Sequence, residues 1–217
     1  MLTLVATPIG NLKDISLRAL DVLKNCDVLI GEEHRVASTL LKKLGLEQKE
    51  IYLLNEHSKK NDLEELVELC RSRNVALISD CGTPVFSDPG ADLIKICRQK
   101  SIPVTTLPGA SSLMALISLS SKKLNQFVFV GFLPANKEQR AQALKNLKSE
   151  KRPWILMDTP YRLKPLLQDL ALEFPNDQGL LGLNLTQENE TILEGTFREL
   201  ERKCPTDEAE FIILRYD

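Results

Sequence analysis

In the first half of the chain, short apolar runs alternate with segments whose apolar residues recur at helical spacing. The runs at 2–6, 28–30, 51–54, 75–79 and 102–107 are candidate strands. Helices are predicted between them at 16–24, 36–44, 63–70 and 92–99, with Asp62 as the N-cap of the third. Strands that alternate with helices in this way are typical of a parallel sheet with crossover helices.

The second half predicts a different order of elements. After Gly109 a helix is predicted over 111–120, and strands are predicted over 127–132, 154–158, 180–185, 191–193 and 210–215. Further helices are predicted after Asn136, which is expected to cap the first of them, and over 162–172 and 196–203. Because the last strands follow one another after short connections, the second sheet is expected to be mixed. The fold class is therefore α/β, with two α/β domains at 1–112 and 113–217.

The composition narrows the classes of partner and site. Lys and Arg total 28 against 30 Asp and Glu, so no global basic field attracts nucleic acid, and an RNA partner must be held by a local patch. The five cysteines lack a CxxC pair, and His34 and His57 lie outside any ligand-like cluster, so no disulfide framework or metal site is expected. No apolar stretch approaches the roughly 20 residues that span a bilayer. We therefore expect a cytoplasmic protein without a membrane partner.

Three loops combine glycine and proline with polar residues at points where candidate strands end. Their sequences are TPIGN at 7–11, SDCGTPVFSDPG at 79–90 and LPGASS at 107–112. The middle loop is longer than a strand-to-helix turn needs, and its carboxylates and carbonyls suit a cationic ligand better than a phosphate. Neither GxGxxG nor a P-loop pattern occurs, so an ordinary dinucleotide or nucleotide-phosphate site is not expected.

The order of these motifs resembles the tetrapyrrole methylase family. The resemblance rests on TPIGN, LKDISLRAL, GEEHR, NEH, SDCGTPVFSDPG, LPGASS and FVFVGFLP, and it covers essentially the whole chain. It is strongest to the branch that methylates a cytidine 2'-hydroxyl in small-subunit ribosomal RNA. The resemblance implies a homodimer that holds S-adenosylmethionine (SAM) in the cleft between its two α/β domains and acts on ribosomal RNA or the small ribosomal subunit.

The resemblance also assigns residues to roles. The cofactor-binding positions that it implies are Pro8, Gly10, Asp80, Gly82, Thr83, Pro84, Phe86, Ser87, Asp88, Gly109, Ser111, Ser112, Asn184 and Thr186. A ribose hydroxyl is a poor nucleophile while protonated, so a nearby general base is expected. The candidates for this catalytic role are Glu32, Glu33, His57 and Asp80, and Glu56 is a further polar position expected near the site.

The chain departs from the branch at positions that bear on the substrate. The segment Leu183–Asn184–Leu185–Thr186–Gln187 lacks two basic residues that the branch carries there, and the chain ends at Asp217, where branch members continue into a small helical domain. Arg35, Lys145, Lys148 and Arg162 are the candidate substrate-binding residues. Lys145 and Lys148 lie in a segment, 137–152, with six basic side chains, which is either a solvated helix face or a surface that contacts an RNA backbone. Arg162 ends the segment 158–162, where the branch has a Glu-Ser-Pro-His-Arg pattern.

Three functions stay open at this point. The ordered motifs favour an RNA 2'-O-methyltransferase, whereas the missing basic residues and the acidic pI leave room for a small-molecule methyltransferase. A noncatalytic SAM-binding or RNA-binding protein is the third possibility. Trp154 and Phe132 are expected in the core, because aromatic residues make up only 5% of the chain and form no stacking stripe.

Overall fold

The computed structural model describes residues 1–55, 58 and 60–216 and divides into two compact units, Met1–Ser111 and Ser112–Asp217. This division lies next to the boundary that the sequence analysis places after residue 112. Among the described residues, no helix has the length and apolar character needed to cross a bilayer.

Unit 1 contains a five-stranded parallel sheet with helices on both faces. The elements in chain order are β1 (Leu2–Val5), α1 (Leu17–Asn25), β2 (Val28–Gly31), α2 (His34–Lys43), β3 (Glu50–Leu53), α3 (Lys60–Ser72), β4 (Val75–Leu77), α4 (Ala91–Gln99) and β5 (Val104–Leu107). The strand order is β3-β2-β4-β1-β5, and all pairings are parallel. The predicted mostly parallel sheet is confirmed.

The core of unit 1 forms two layers, one on each face of the sheet. Leu23 of α1 and Leu41 of α2 pack with Leu29 on one face, whereas Val67 of α3 and Leu93 of α4 belong to the cluster on the other. All four helix residues are fully buried. The connections that follow β1 and β2 therefore cover one face, and those that follow β3 and β4 cover the other.

Side-chain capping explains the start of α1, and the cap predicted for α3 needs a correction. Ser16 caps α1 as its hydroxyl accepts a hydrogen bond from the Ala19 N–H at 3.1 Å. The prediction that Asp62 caps α3 is wrong, because α3 begins at Lys60 and Asp62 lies inside its first turn. A carboxylate in the first turn is still favourable there, since it faces the positive end of the helix dipole.

Unit 2 contains a five-stranded mixed sheet. Its elements are α5 (Ser112–Ser118), β6 (Val128–Gly131), α6 (Lys137–Leu147), β7 (Trp154–Asp158), α7 (Leu163–Glu173), β8 (Gln178–Leu183), β9 (Thr191–Thr196), α8 (Phe197–Lys203) and β10 (Phe211–Arg215). The strand order is β6-β7-β10-β8-β9; β6 and β7 are parallel, and the other pairs are antiparallel. The predicted mixed sheet is confirmed.

An aromatic cluster fills the core of unit 2, and one predicted core residue lies outside it. Trp154 is fully buried, stacks on Phe197 at 5.9 Å between ring centroids and meets Phe174 edge-on at 5.6 Å. Phe132, in contrast, is 51% exposed. Its placement in the core is wrong because β6 ends at Gly131, whose φ of 72° turns the chain out of the strand before Phe132.

The basic segment 137–152 is partly neutralised within unit 2. Asn136 caps α6, as predicted, with its side-chain oxygen accepting from the N–H groups of Glu138 and Gln139. Arg140 is only 8% exposed and donates from Nε to Asp169 at 2.7 Å. Lys148 pairs with Glu173 at 2.7 Å, and Arg152 pairs with Glu150 at 2.7 Å. Half of the six cations are therefore engaged in ion pairs within the unit.

Loss of the Arg140 guanidinium is expected to destabilise unit 2. Arg140→Gln leaves the half-buried Asp169 carboxylate without its partner, which should lower the free energy of unfolding by about 1 to 3 kcal/mol. Trp154 is the single tryptophan of the chain, so its fluorescence during urea titration reports unit 2. Lys145→Gln, at an exposed position of the same helix, serves as the control and should change the value by less than about 0.5 kcal/mol. Equal stability of the two variants would contradict the assignment.

Candidate functional site

The carboxyl ends of the five parallel strands bring the predicted loops of unit 1 to one edge of the sheet. The register pairs Val75 of β4 with Leu2 of β1 and with Val28 of β2, so these strands start at the same level. β2 and β4 are neighbours whose following helices cover opposite faces. In open α/β sheets a crevice for ligands forms at the carboxyl ends of such strands.

A buried threonine joins the loop after β1 to the loop after β4. Thr7 is 2% exposed, and its N–H donates to the Gly82 carbonyl oxygen at 2.9 Å. In return, the Gly82 N–H donates to Thr7 Oγ1 at 3.0 Å, and Thr7 Oγ1 lies 3.2 Å from the Ser79 carbonyl oxygen, to which it donates. The buried Ser79 hydroxyl also donates to the Gly82 carbonyl oxygen at 3.1 Å. We call this set of hydrogen bonds between Thr7, Ser79 and Gly82 the Thr7 network.

Two glycines let the loops after β1, β4 and β5 approach one another. Gly82 has a φ of 83°, and a Cβ placed there would lie 3.1 Å from Ile9 Cγ2. A Cβ at Gly109 would lie 2.6 Å from the Cβ of Ala6, closer than real contacts allow. Thr83 adds a hydrogen bond from Oγ1 to the Ala110 carbonyl oxygen at 3.1 Å. The glycines of these motifs are therefore required for contact between the loops.

The loop after β4 contains two unusual backbone conformations. Val85 and Ser87 have φ values of 72° and 65°. A β-branched residue rarely adopts the left-handed region, because its side chain clashes with the backbone there. Such conformations persist only where the surrounding structure enforces them, and they concentrate at ligand-binding sites.

Three carboxylates from the loops after β2 and β4 form an acidic cluster, which we define as Glu32, Asp80 and Asp88. Glu32 Oε1 accepts a hydrogen bond from the Asp80 N–H at 3.3 Å. The Asp80 carboxylate accepts from the Glu33 N–H, and Asp88 is hydrogen-bonded to the Ser79 hydroxyl. The acidic cluster therefore contacts the Thr7 network through Ser79.

Burial and neighbouring charges raise the pKa values of these carboxylates. Burial raises the pKa of Glu32, and the negative charge of Asp88 raises it further. Burial likewise raises the pKa of Asp88 and of Asp80, and the Asp80 charge adds to the rise at Asp88. A cation placed among these groups would offset the repulsion, so the cluster suits a ligand that carries positive charge.

The remaining predicted residues of unit 1 lie in several settings. In the loop after β1, Pro8 is half-buried and Gly10 is exposed. In the loop after β4, Pro84 is buried and Phe86 is exposed. Arg35 is exposed in the first turn of α2. Glu56 and His57 lie outside the described residues. Ser111 is the last residue of unit 1, and Ser112 opens α5 in unit 2. Their roles in binding and catalysis stay predictions.

In unit 2, Asn184 and Thr186 follow β8 in a tight turn. Their φ values are 47° and 67°, and the Thr186 N–H donates to Glu190 Oε2 at 2.6 Å. Asn184 pairs with Glu210 through two hydrogen bonds, from the Asn184 N–H to the Glu210 carbonyl oxygen at 2.8 Å and from the Glu210 N–H to Asn184 Oδ1 at 3.2 Å. The turn is thus held in one conformation from both sides.

Of the predicted substrate residues in unit 2, Lys145 is exposed and Arg162 is largely enclosed. The Arg162 guanidinium donates to the carbonyl oxygens of Leu133 at 3.2 Å and Pro134 at 2.8 Å. It also pairs with the buried Asp158 carboxylate at 3.0 Å. These bonds join the loop after β6 to the loop after β7.

Thr7 and Ser79 are the site residues that the sequence analysis misses. Thr7 stands first in TPIGN, where the predicted cofactor-binding residues are Pro8 and Gly10. Ser79 is included in a predicted strand at 75–79, whereas β4 ends at Leu77. The sequence does carry a signal, because each of these hydroxyl residues is the first residue of a glycine-containing motif.

Metal binding finds no support within the ranges that the structure describes. Residues 1–55, 58 and 60–216 contain no group of three or more His, Cys, Asp or Glu side chains placed to hold a metal ion.

The comparison with known proteins identifies the family. The family model described as Tetrapyrrole (Corrin/Porphyrin) Methylases matches residues 1–201. The chain belongs to the tetrapyrrole methylase family. In this tetrapyrrole methylase the motifs at 7–11 and 79–90, together with residues 107–111, form the interlocked loops of unit 1.

Several curated relatives of this tetrapyrrole methylase share one name, ribosomal RNA small subunit methyltransferase I. The protein of that name from Leptospira biflexa is 34% identical over 99% of this chain and 90% of the relative. The one from Xylella fastidiosa is 36% identical over 98% of this chain and 80% of the relative. The one from Thermotoga maritima is 33% identical over 98% of this chain and 97% of the relative.

Solved structures show the same fold at lower identity. Diphthine synthase superimposes with a TM-score of 0.73 at 17% identity, covering 99% of this chain and 89% of that one. Uroporphyrin-III C-methyl transferase from Thermus thermophilus, complexed with S-adenosylhomocysteine, gives 0.65 at 16% identity, covering 100% and 97%. Cobalt precorrin-4 methyltransferase gives 0.69 at 16%, covering 99% and 94%.

Neutralising one carboxylate of the acidic cluster is expected to stabilise the protein at neutral pH. Because the pKa of Asp88 is raised in the folded state, its favourable contribution is present at acid pH and is lost as the pH rises through the raised pKa. Asp88→Asn should therefore raise the melting temperature by a few degrees near pH 8, and the gain should shrink toward about pH 4.

The measurement is thermal unfolding of the wild type and the variant across this pH range. Glu64→Gln, at an exposed carboxylate of α3, is the control and should give a difference that is small at every pH. An Asp88→Asn variant that melts below the wild type near pH 8 would contradict mutual repulsion in the cluster.

Proposed function

We propose that this protein is a SAM-dependent methyltransferase that acts on small-subunit ribosomal RNA, with a cytidine ribose 2'-hydroxyl as the acceptor. The observation that carries the proposal is the shared name of relatives that align over nearly the whole chain. The Thermotoga maritima relative is matched over 97% of its own length, so the similarity is not confined to a common domain of a larger protein. The acceptor atom rests on the sequence resemblance.

The carboxylates of unit 1 suit the positive charge of SAM. When bound, SAM supplies a methyl group activated by a positively charged sulfonium. The acidic cluster places three carboxylates of raised pKa at the carboxyl edge of the sheet, where a cation relieves their repulsion. We propose that Asp80, Asp88 and the loops after β1, β4 and β5 hold the cofactor.

The chain's own residues then have to orient the acceptor and take its proton. Glu32 is the best placed base among the described residues, since Oε1 is held by the Asp80 N–H and the second oxygen can accept a proton. Burial and the nearby charges raise the pKa of Glu32, which makes its carboxylate a stronger base than an exposed one. Asp80 remains the second candidate, with its carboxylate oriented by the Glu33 N–H.

Positioning is the other contribution that the site can make. Holding two reactants in line can lower a barrier by about 7 to 11 kcal/mol. That effect requires a site that does not rearrange during the reaction. The Thr7 network meets this requirement because its polar groups are buried and hydrogen-bonded.

The proposed substrate also sets the expected location and surface. Ribosomal RNA is modified where ribosomes are assembled, so we propose a cytoplasmic enzyme, and the resemblance supports a homodimer. For RNA contact we propose Arg35 and the exposed lysines of the basic segment, Lys137, Lys145 and Lys151. Lys148 could contribute only after release from Glu173, and Arg162 only after release from Asp158.

The direct test is methyl transfer from tritium-labelled SAM. Small ribosomal subunits from a strain that lacks this protein should become labelled in their RNA, and the labelled position should resist alkaline cleavage, because a methylated 2'-oxygen cannot attack the phosphate. Porphyrinogens incubated in parallel are expected to stay unlabelled. Label in a porphyrinogen, or SAM binding with no transfer to RNA, would overturn the proposal.

Removing the Thr7 hydroxyl is expected to weaken SAM binding. Thr7→Val leaves the buried Gly82 N–H without its acceptor, a loss of about 1 to 3 kcal/mol that should loosen the loop after β4. The dissociation constant for SAM, measured by calorimetry, should rise about tenfold or more. Thr7→Ser keeps the hydroxyl and should bind nearly as the wild type does. Wild-type affinity in a folded Thr7→Val protein would show that the Thr7 network does not support the site.

A further inference from the structure

Two aromatic side chains of unit 2 lie exposed on neighbouring loops. Phe132 is 51% exposed directly after β6, and Tyr161 is 66% exposed shortly after β7. β6 and β7 are parallel and adjacent, so both loops leave the same edge of the sheet. Aromatic rings at such positions leave a flat apolar face available to another molecule.

Arg162 fixes the backbone beside both rings. Its Nη1 and Nη2 each donate to the Leu133 carbonyl oxygen at 3.2 Å, and Leu133 is the residue after Phe132. Arg162 is itself the residue after Tyr161, and its charge is paired with the buried Asp158 carboxylate at 3.0 Å. The two rings therefore flank one rigid junction, which we call the aromatic junction and define as Phe132, Leu133, Tyr161 and Arg162.

We propose that the aromatic junction stacks unpaired nucleobases of a single-stranded RNA segment. This inference rests on the proposed function, in which RNA is the substrate. Sequence-specific and sequence-tolerant RNA-binding proteins both use exposed aromatic faces in this way, since a base offers a flat surface of matching size. Rigid backbone beneath the rings reduces the entropy lost when a base binds.

A second copy of the chain is the less suitable occupant. Stable interfaces between proteins bury about 1,200 to 2,000 Å² in total, with roughly 20 to 30 residues on each side. Two half-exposed aromatic side chains supply only a small part of that area. Their area is, however, sufficient to cover one or two bases.

The aromatic junction and the basic segment are expected to contribute to RNA affinity in different ways, because they differ in charge. Because Asp158 neutralises Arg162, the junction adds no free positive charge for phosphates. The exposed lysines of the basic segment, Lys137, Lys145 and Lys151, are available for that purpose. Stacking should therefore contribute to RNA affinity without releasing counterions, whereas each lysine contact should add about 0.7 to the slope of log affinity against log salt.

The test measures binding of a short fluorescein-labelled single-stranded oligoribonucleotide to the full-length protein over a range of salt concentrations. Phe132→Leu and Tyr161→Leu should each weaken binding by about 5- to 150-fold and leave the salt slope unchanged. Tyr161→Phe keeps the ring and should restore wild-type affinity. Leu172→Ala removes an exposed apolar side chain from α7 and should have no effect.

Measurements of SAM affinity and of sedimentation mass distinguish base stacking from a cofactor role and from an interface between copies. Equal RNA affinity of the wild type and the leucine variants overturns it, as does a parallel loss of SAM affinity, which would assign the rings to the cofactor. A fall in sedimentation mass together with RNA affinity would assign them to an interface between copies. Methyl transfer by the wild type to small ribosomal subunits is scored separately, so failure of the proposed function is distinguished from failure of the stacking site.

Discussion

The reciprocal hydrogen bonds between Thr7 and Gly82 are the constraint on which the rest of the site depends. They hold the loop after β1 against the loop after β4 at the carboxyl edge of the parallel sheet. The loop after β5 joins them through the Thr83 hydrogen bond to Ala110 and the contact between Gly109 and Ala6. A Cβ at Gly109 would clash with Ala6, and a side chain at Gly82 would strain the backbone and crowd Ile9, which explains why these two positions are glycine.

The acidic cluster follows from this arrangement. With the loop after β4 held in place, Asp80 and Asp88 lie beside Glu32. Burial raises the pKa of all three carboxylates, and repulsion from other members of the cluster adds to the rise at Glu32 and Asp88. Such crowding destabilises the protein when no ligand is bound, and a bound cation offsets the repulsion. The same geometry thus explains both a preference for a sulfonium ligand and the presence of a carboxylate able to accept a proton.

Much of the fold is predictable from the sequence, because apolar runs and helical periodicity report directly on burial. The parallel first sheet, the mixed second sheet and the Asn136 cap follow from those local signals. Two errors arise where a long-range hydrogen bond or a turn overrides the local apolar pattern. Ser79 is predicted in a strand but lies in the Thr7 network, and Phe132 is predicted in the core but follows the turn at Gly131.

The candidate site is predictable in its loops and less so in its individual side chains. The motif positions of unit 1 are predicted to lie at one ligand site, and the structure brings the loops after β1, β4 and β5 into contact.

The ion pairs of Lys148 with Glu173 and of Arg162 with Asp158 are not predictable from the sequence, and the reasons differ. The first joins the residue after α6 to the end of α7 and leaves no sequence signal. The second spans four residues, yet it depends on burial of Asp158.

Amide hydrogen exchange of the loop at 79–90, with and without SAM, tests whether the Thr7 network holds the site in place. If the Thr7 network holds the site in place before the ligand binds, the Gly82 amide should exchange slowly in the free protein, since its N–H is buried and bonded to Thr7. SAM should then slow exchange further across this loop and the segment at 107–111. Rapid exchange at Gly82 in the free protein, or protection by SAM confined to other parts of the chain, would contradict the account.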